Sequence, residues 1–139
     1  MPQKFTWPVR IYYEDTDAGG IVFYANYLKF FERARTEWLR TTGVNQQSLV
    51  QSHGIIFVVQ KTAVDYHAPA KLDDELKLTV VVERQGRASI QFVQEAWRIN
   101  GTQEQLLTSG RVTVACVNAE SLRPTVIPNE ILAKLKNLE

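Results

Sequence analysis

A single cysteine, Cys116, rules out an intrachain disulfide in this chain of 139 residues. Its stability must come from a buried core, and a reducing cytoplasm is the expected compartment. An excess of one charge is lacking as well. Lys and Arg number 16 against 15 Asp and Glu, for a formal net charge of +1. No global field draws in nucleic acid, and no nucleic-acid partner is expected. Long apolar runs are missing too. Stretches such as Ile55–Val59 fall far short of the roughly 20 residues that span a bilayer. The first residues, MPQKFTWPVR, hold no apolar h-region and read as a mature N-terminus. No repeat, low-complexity segment or linker divides residues 1–139, so one domain is expected. Apolar residues make up 45% of the chain, enough for a sizeable core.

Several chemical signatures are also absent. There is no GxSxG, which argues against a nucleophile-elbow serine hydrolase. There is no phosphate-binding P-loop and no GxGxxG. The only histidines, His53 and His67, lie apart and lack ligand spacing with Cys116, so no metal site is expected. Cys116 alternates with Val112 and Val114 and reads as core, without a positioned base to make it a nucleophile.

What is present falls into clear periods. Trp7–Asp15 reads as a strand, with Val9, Ile11 and Tyr13 alternating against Arg10, Tyr12 and Glu14. Asp15–Gly20 is turn chemistry. Asn26–Thr42 carries a helical stripe: Tyr27, Phe30, Phe31, Ala34 and Trp38, widened by Leu28 and Leu39. Asn26 is the expected N-cap and Gly43 the stop. Arg35 falls inside the apolar arc. A guanidinium there needs Glu32 or Asp15 as a partner, or must reach out to water. A short helix is expected over Asn45–His53. Strands follow from Ile55, Leu76, Ser89 and Arg111, separated by turns at Ala68–Glu75, Gln85–Arg87 and Asn100–Gly101. Ile55–Val59 is apolar on both faces, which suggests a strand start buried on both sides. Pro128 opens a final helix over Asn129–Leu138. A strand, a long helix and a run of hairpin strands predict an α+β fold, with about five antiparallel strands wrapped round the helix. Its open edge is expected to pair with another subunit.

The stretch Tyr12–Tyr27, YYEDTDAGGIVFYANY, concentrates the chemistry. Glu14, Asp15 and Asp17 precede the Gly19–Gly20 break, and a helix N-terminus follows within about ten residues. The plain reading has Asp15 and Asp17 capping backbone groups in Asx-turns. The chemical reading sets a carboxylate beside unpaired N–H groups, an arrangement suited to acyl transfer.

Tyr12–Arg35, YYEDTDAGGIVFYANYLKFFERAR, resembles the signature of hotdog-fold acyl-CoA thioesterases of the 4-hydroxybenzoyl-CoA thioesterase type. FVVQKTAVDYHAPAKLDDEL, from Phe57 to Leu76, resembles the bacterial YbgC-type branch associated with the Tol–Pal system. The resemblance implies a hotdog fold built on a long central helix and a hydrolase releasing CoA and a free short-chain, medium-chain or aromatic acid. It also implies a cytoplasmic homo-oligomer, a dimer of dimers, with acyl-CoA as substrate and no separate cofactor. An acyl carrier protein or an inner-membrane-associated complex is the further partner it implies. Carried over by residue, the catalytic aspartate falls on Asp17, as nucleophile or general base. The backbone oxyanion donor falls on Tyr24, and Tyr13 lines the site. Many YbgC-type chains carry His where this one has Tyr24, so a His-assisted mechanism loses its side chain here while a backbone donor does not. Arg87 and Ser89 match the segment that grips the CoA phosphates; the plain reading of that segment is a solvated hairpin. Val58 and Val59 are expected acyl-pocket walls, or simply core. Two other functions fit the same pattern: an acyl-thioester dehydratase, which needs a His in the site, and a non-catalytic acyl-CoA-binding module.

Overall fold

The computed structural model describes residues 4–136. Five antiparallel strands form one sheet: β1 (Phe5–Arg10), β2 (Ile55–Tyr66), β3 (Glu75–Gln85), β4 (Ser89–Asn100) and β5 (Gln103–Asn118). Their spatial order is β1-β3-β4-β5-β2. Helix α1 (Asn26–Thr41) lies against one face. A short helix α2 (Gln46–Ser48) runs on as a π-helical turn at Leu49–His53, and α3 (Asn129–Lys136) is the last described element; Leu138, the expected end of that helix, lies outside the described residues. The α+β expectation is borne out.

Alternation in the strands makes the core. Ile90, Phe92, Gln94 and Ala96 of β4 are buried, as are Leu76, Leu78 and Val80 of β3 and Val112, Val114 and Cys116 of β5. Opposite them α1 buries Tyr27, Phe30, Phe31, Ala34, Trp38 and Leu39. Each large side chain so buried contributes about 1.5–3 kcal/mol. Leu28 stays exposed and drops out of the expected stripe. The helix comes very close to β5 at Gly110, where a Cβ would sit 3.2 Å from the Phe31 ring. Pro8 is tolerated because β1 is an edge strand, where a missing N–H can face away from the ladder.

Three expectations are corrected. The first strand stops at Arg10, and Tyr13–Asp15 is a 3-10 turn instead of strand, because the Asp15 carboxylate folds back onto the Tyr12 N–H at 2.8 Å. Asn26 is not the N-cap. Ala25 holds that position, and the Asn26 side chain is spent on Asp15. The start of β2 is not buried on both sides: Ile55 is buried, but Val58 and Val59 are exposed, since β2 is the second edge of the sheet.

Candidate active site

The loop between β1 and α1 is pinned at every step. Ile11 exchanges backbone bonds with the β2–β3 connection, donating to Asp74 O at 2.9 Å and accepting from Asp73 N–H at 3.0 Å. Val22 N–H donates to Ala70 O at 2.9 Å. Within the loop Thr16 faces Val22 in an antiparallel bridge, and Phe23 N–H donates to Asp15 O at 3.0 Å. Asp17 to Ile21 is the tight tip of this small hairpin, closed by Asp17 N–H to Ile21 O at 2.9 Å and Gly20 N–H to Asp17 O at 3.0 Å. Gly20 has φ +81°, a conformation that disfavours side chains.

Asp15 and Asp17 separate by role. Asp15 is buried and doubly bonded, accepting from Tyr12 N–H and from Asn26 Nδ2–H, each at 2.8 Å. Asp17 is exposed, and Gly19 N–H donates to its Oδ1 at 2.8 Å. No other donor among the described residues binds the Asp17 carboxylate, so Oδ2 is free to accept a proton. Across the loop, neither the Tyr24 nor the Ala25 N–H has an acceptor among the described residues. Both sit at the positive end of α1, where unpaired N–H groups favour negative charge.

The aromatic side chains around this tip are open. Tyr13 is 84% exposed and Tyr24 64% exposed. The Tyr24 ring packs on Phe23 at 4.8 Å and meets the edge of Tyr66 at 6.2 Å. The Tyr66 hydroxyl donates to Tyr24 O at 2.8 Å. Desolvation first, and then the neighbouring Tyr24 and Tyr27, push the Tyr66 phenol above its usual pKa.

Arg35 does not pair with Asp15. Its Nη1 donates to Gln94 Oε1 at 2.9 Å, and Gln94 Nε2 donates in turn to Phe31 O at 3.1 Å. Burial lowers the Arg35 pKa and nearby Glu32 opposes the shift. Arg35 and Glu32 line a cavity of about 160 Å³ between α1 and the sheet, whose walls also include Trp38, Phe57, Val59 and Phe92. Val59 therefore reaches the cavity. Val58, its neighbour on β2, alternates to the other face.

Asp17, Tyr13 and Tyr24 are brought onto one loop; Arg87 and Ser89 are not beside it. They sit in the β3–β4 hairpin, where Gly86 N–H donates to Ser89 O and Ile127 N–H to Arg87 O, both at 2.8 Å. The Asp17 loop is tied to Ala70 and Lys71, just before the other end of β3. Eleven residues of strand separate the two ends, roughly 33 Å at about 3.3 Å per residue. Sequence reasoning missed Tyr66 and Asn26 as hydrogen-bond partners of this loop. The period-two pattern of β2 carries no sign that a hydroxyl reaches 42 residues back. Among the described residues no group of three or more His, Cys, Asp or Glu is placed to hold a metal ion, and no helix is long and apolar enough to cross a membrane.

A five-stranded antiparallel sheet cradling one long helix, with a carboxylate loop at the helix N-terminus, defines a class. Residues 12–135 match the family model of the thioesterase-like superfamily, and the chain belongs to that superfamily. It shares 44% identity over 132 residues with the acyl-CoA thioester hydrolase YbgC of Escherichia coli O6:H1, covering 95% of this chain and 96% of that one. It shares 44% over 139 residues with the acyl-CoA thioesterase YbgC of Haemophilus influenzae, covering 100% and 99%. The fold matches a 4-hydroxybenzoyl-CoA thioesterase variant complexed with 4-hydroxybenzoyl-CoA. The TM-score is 0.88 at 21% identity, over 95% of this chain and 98% of the other. The expected hotdog thioesterase fold is borne out.

Proposed function

We propose that this protein hydrolyses acyl-CoA thioesters at the Asp17 loop, releasing CoA and a free carboxylic acid. One observation carries the reading: Asp17 keeps a free carboxylate oxygen on the loop that leads into α1, where the Tyr24 and Ala25 N–H groups have no acceptor among the described residues. A thioester carbonyl placed between them would have its oxygen held by the N–H donors as negative charge develops. Asp17 would take the proton of the attacking water, or attack the carbonyl carbon itself to form an anhydride that water then opens. In both routes the C–S bond breaks, and the CoA thiolate leaves and is protonated. The relatives' names support this reaction class.

Two features favour a second copy of the chain in the working enzyme. The β2 edge is twelve residues long and exposes Val58 and Val59, a surface that invites strand pairing. Antiparallel pairing about the middle of β2 would set Phe57 of one chain opposite Val64 of the other and Val59 opposite Thr62, bringing the cavity they wall toward the neighbour's Tyr66 end. The cavity would then take a short or medium acyl chain, or an aromatic one, held at Asp17 of the neighbour. Arg87, exposed and without an ion-pair partner among the described residues, would grip CoA phosphate from a neighbouring chain together with Ser89, which explains its distance from Asp17 in its own chain. A cytoplasmic homotetramer serving an acyl carrier protein or a Tol–Pal-associated complex extends the proposal, supported by the likeness to YbgC-type enzymes.

The test is a panel of butyryl-, hexanoyl- and benzoyl-CoA against wild type and Asp17→Asn, with thiol release as the readout. Turnover by wild type alone supports the reading. Equal turnover by both proteins would refute it, and binding of CoA without turnover would favour a non-catalytic module. Hydration of an enoyl thioester would favour a dehydratase.

A further inference from the structure

The geometry points to Tyr66 as a positioning residue for the reaction proposed above: its hydroxyl fixes the Tyr24–Ala25 peptide plane and so aims the N–H groups at the start of α1. The inference rests on the reading of those N–H groups as oxyanion donors.

The start of α1 leaves one carbonyl out of the helical ladder. Asn26 N–H donates to Phe23 O at 2.8 Å, and Leu28 N–H donates to Ala25 O at 3.1 Å, three residues back instead of four. Tyr24 O is left for the Tyr66 hydroxyl, which donates to it at 2.8 Å. A peptide is planar, with C=O and the following N–H pointing in opposite directions. Holding Tyr24 O therefore sets the direction of the Ala25 N–H in the same plane. It also limits the turn about Tyr24, whose own N–H begins the previous plane. A hydrogen bond accepted at the carbonyl further polarises the peptide and strengthens its N–H as a donor.

Tyr66 is well built for this. It ends β2 opposite Thr108 of β5, and the next residue, His67, donates its N–H to Leu107 O at 2.8 Å. Its ring meets the edges of Tyr24 at 6.2 Å and Tyr27 at 5.7 Å. The clamp thus joins the rigid sheet to a helix terminus that has no side-chain cap of its own. Preorganised donors are the ones that stabilise a transition state without reorganising during the reaction. Loss of the clamp is accordingly expected in kcat, with little change in KM.

The experiment compares wild type with Tyr66→Phe, which keeps the ring and deletes the donor, and with p-aminophenylalanine at position 66, which restores a donor. Benzoyl-CoA and hexanoyl-CoA are the substrates, and urea unfolding is run in parallel. The expected result is a kcat for Tyr66→Phe about tenfold lower, with KM within about twofold and an unchanged urea midpoint. The p-amino variant should recover most of the lost kcat. Wild-type kcat in Tyr66→Phe overturns the inference. So does a loss that the p-amino variant does not recover, or one matched by a fall in the urea midpoint. A separate variant replaces Tyr24 by its α-hydroxy analogue, turning the N–H into an ester oxygen. Full kcat there would overturn the Tyr24 oxyanion reading itself, whatever Tyr66→Phe does.

Discussion

Asp15 ties the Asp17 loop to the central helix through Asn26, whose Nδ2–H donates to Asp15 Oδ1 at 2.8 Å in a buried contact. The other carboxylate oxygen holds the Tyr12 N–H at 2.8 Å, so one side chain joins the end of β1 to the start of α1. Asp17 then hangs from a frame that Asp15 has already set. Asn26→Ala should lower stability by about 2 kcal/mol, as expected for losing a hydrogen bond to a charged group. It should also lower kcat, because the frame loosens on the helix side. Urea unfolding and steady-state kinetics on the same preparation check both.

Asp17→Asn should leave the loop intact. The Asn Oδ1 can still accept the Gly19 N–H that Asp17 Oδ1 accepts at 2.8 Å. What disappears is the charge and the proton acceptor. We expect kcat to fall by about 10²–10⁴, with an unchanged unfolding midpoint. Tyr24→Phe should be nearly silent, since the Tyr24 groups that matter belong to its backbone. Single-turnover hydrolysis in oxygen-18 water separates the two roles of Asp17. Label entering Asp17, with unlabelled acid from the first turnover, marks an anhydride opened at the aspartyl carbon, whereas label confined to the acid places the water's attack at the acyl carbon.

Arg35 and Gln94 should be strongly coupled. The guanidinium is held mostly out of water and its hydrogen bond goes to a neutral amide. Removing Gln94 would leave a half-buried charge without its partner, whereas removing both partners would not. A double-mutant cycle of Arg35→Met and Gln94→Leu should give a coupling of about 1–3 kcal/mol. Arg35→Met should also shift acyl preference, because Arg35 borders the cavity.

Alkaline pH should destabilise the fold. Desolvation raises the pKa of the Cys116 thiol and, as the leading cause, that of the Tyr27 phenol, above the ordinary values of 9.0 and 10.0. Folding thus favours the protonated forms. Their contribution is whole below those ordinary values and is lost as pH rises through the higher folded ones. Tm should hold steady up to about pH 9 and decline above it. Cys116→Ala should start from a lower Tm, because a buried side chain is truncated, but show a shallower alkaline decline.

Arg87→Ala should raise KM for acyl-CoA several-fold, with kcat nearly unchanged, since a phosphate grip far from the carbonyl binds ground and transition states alike. Added salt should shrink the difference between the two proteins. Light scattering should find at least a dimer, and Val59→Lys on the open β2 edge should shift the protein toward monomer and depress turnover.

Local pattern was enough to read α1, since Phe30, Phe31, Ala34 and Trp38 recur at helical spacing and all are buried. The alternation in β4, and in β5 from Arg111 onward, was equally legible; the first half of β5, from Gln103, was not read as strand. Asp17 stood out through its place before the Gly19–Gly20 break and through the resemblance of the whole stretch. The end of β1 was not legible. Tyr13 alternates as a strand residue would, yet the Asp15 carboxylate draws Tyr12–Asp15 into a 3-10 turn. Gln94 was hidden as well, because nothing local marks it as the partner of a helix residue 59 positions earlier.

By itself, then, the sequence determined the succession of elements, the apolar faces and the loop that carries the acid, because these depend on periodicity and turn chemistry over a few residues. Tertiary structure alone decided which polar groups meet. Asp15 found Asn26 instead of Arg35, Arg35 found Gln94, and Tyr66 found the Tyr24 carbonyl. The physical reason is that a polar group pairs with whatever the folded sheet brings within about 3 Å, and a buried one must do so; that choice is made in space, after the chain has been folded back on itself.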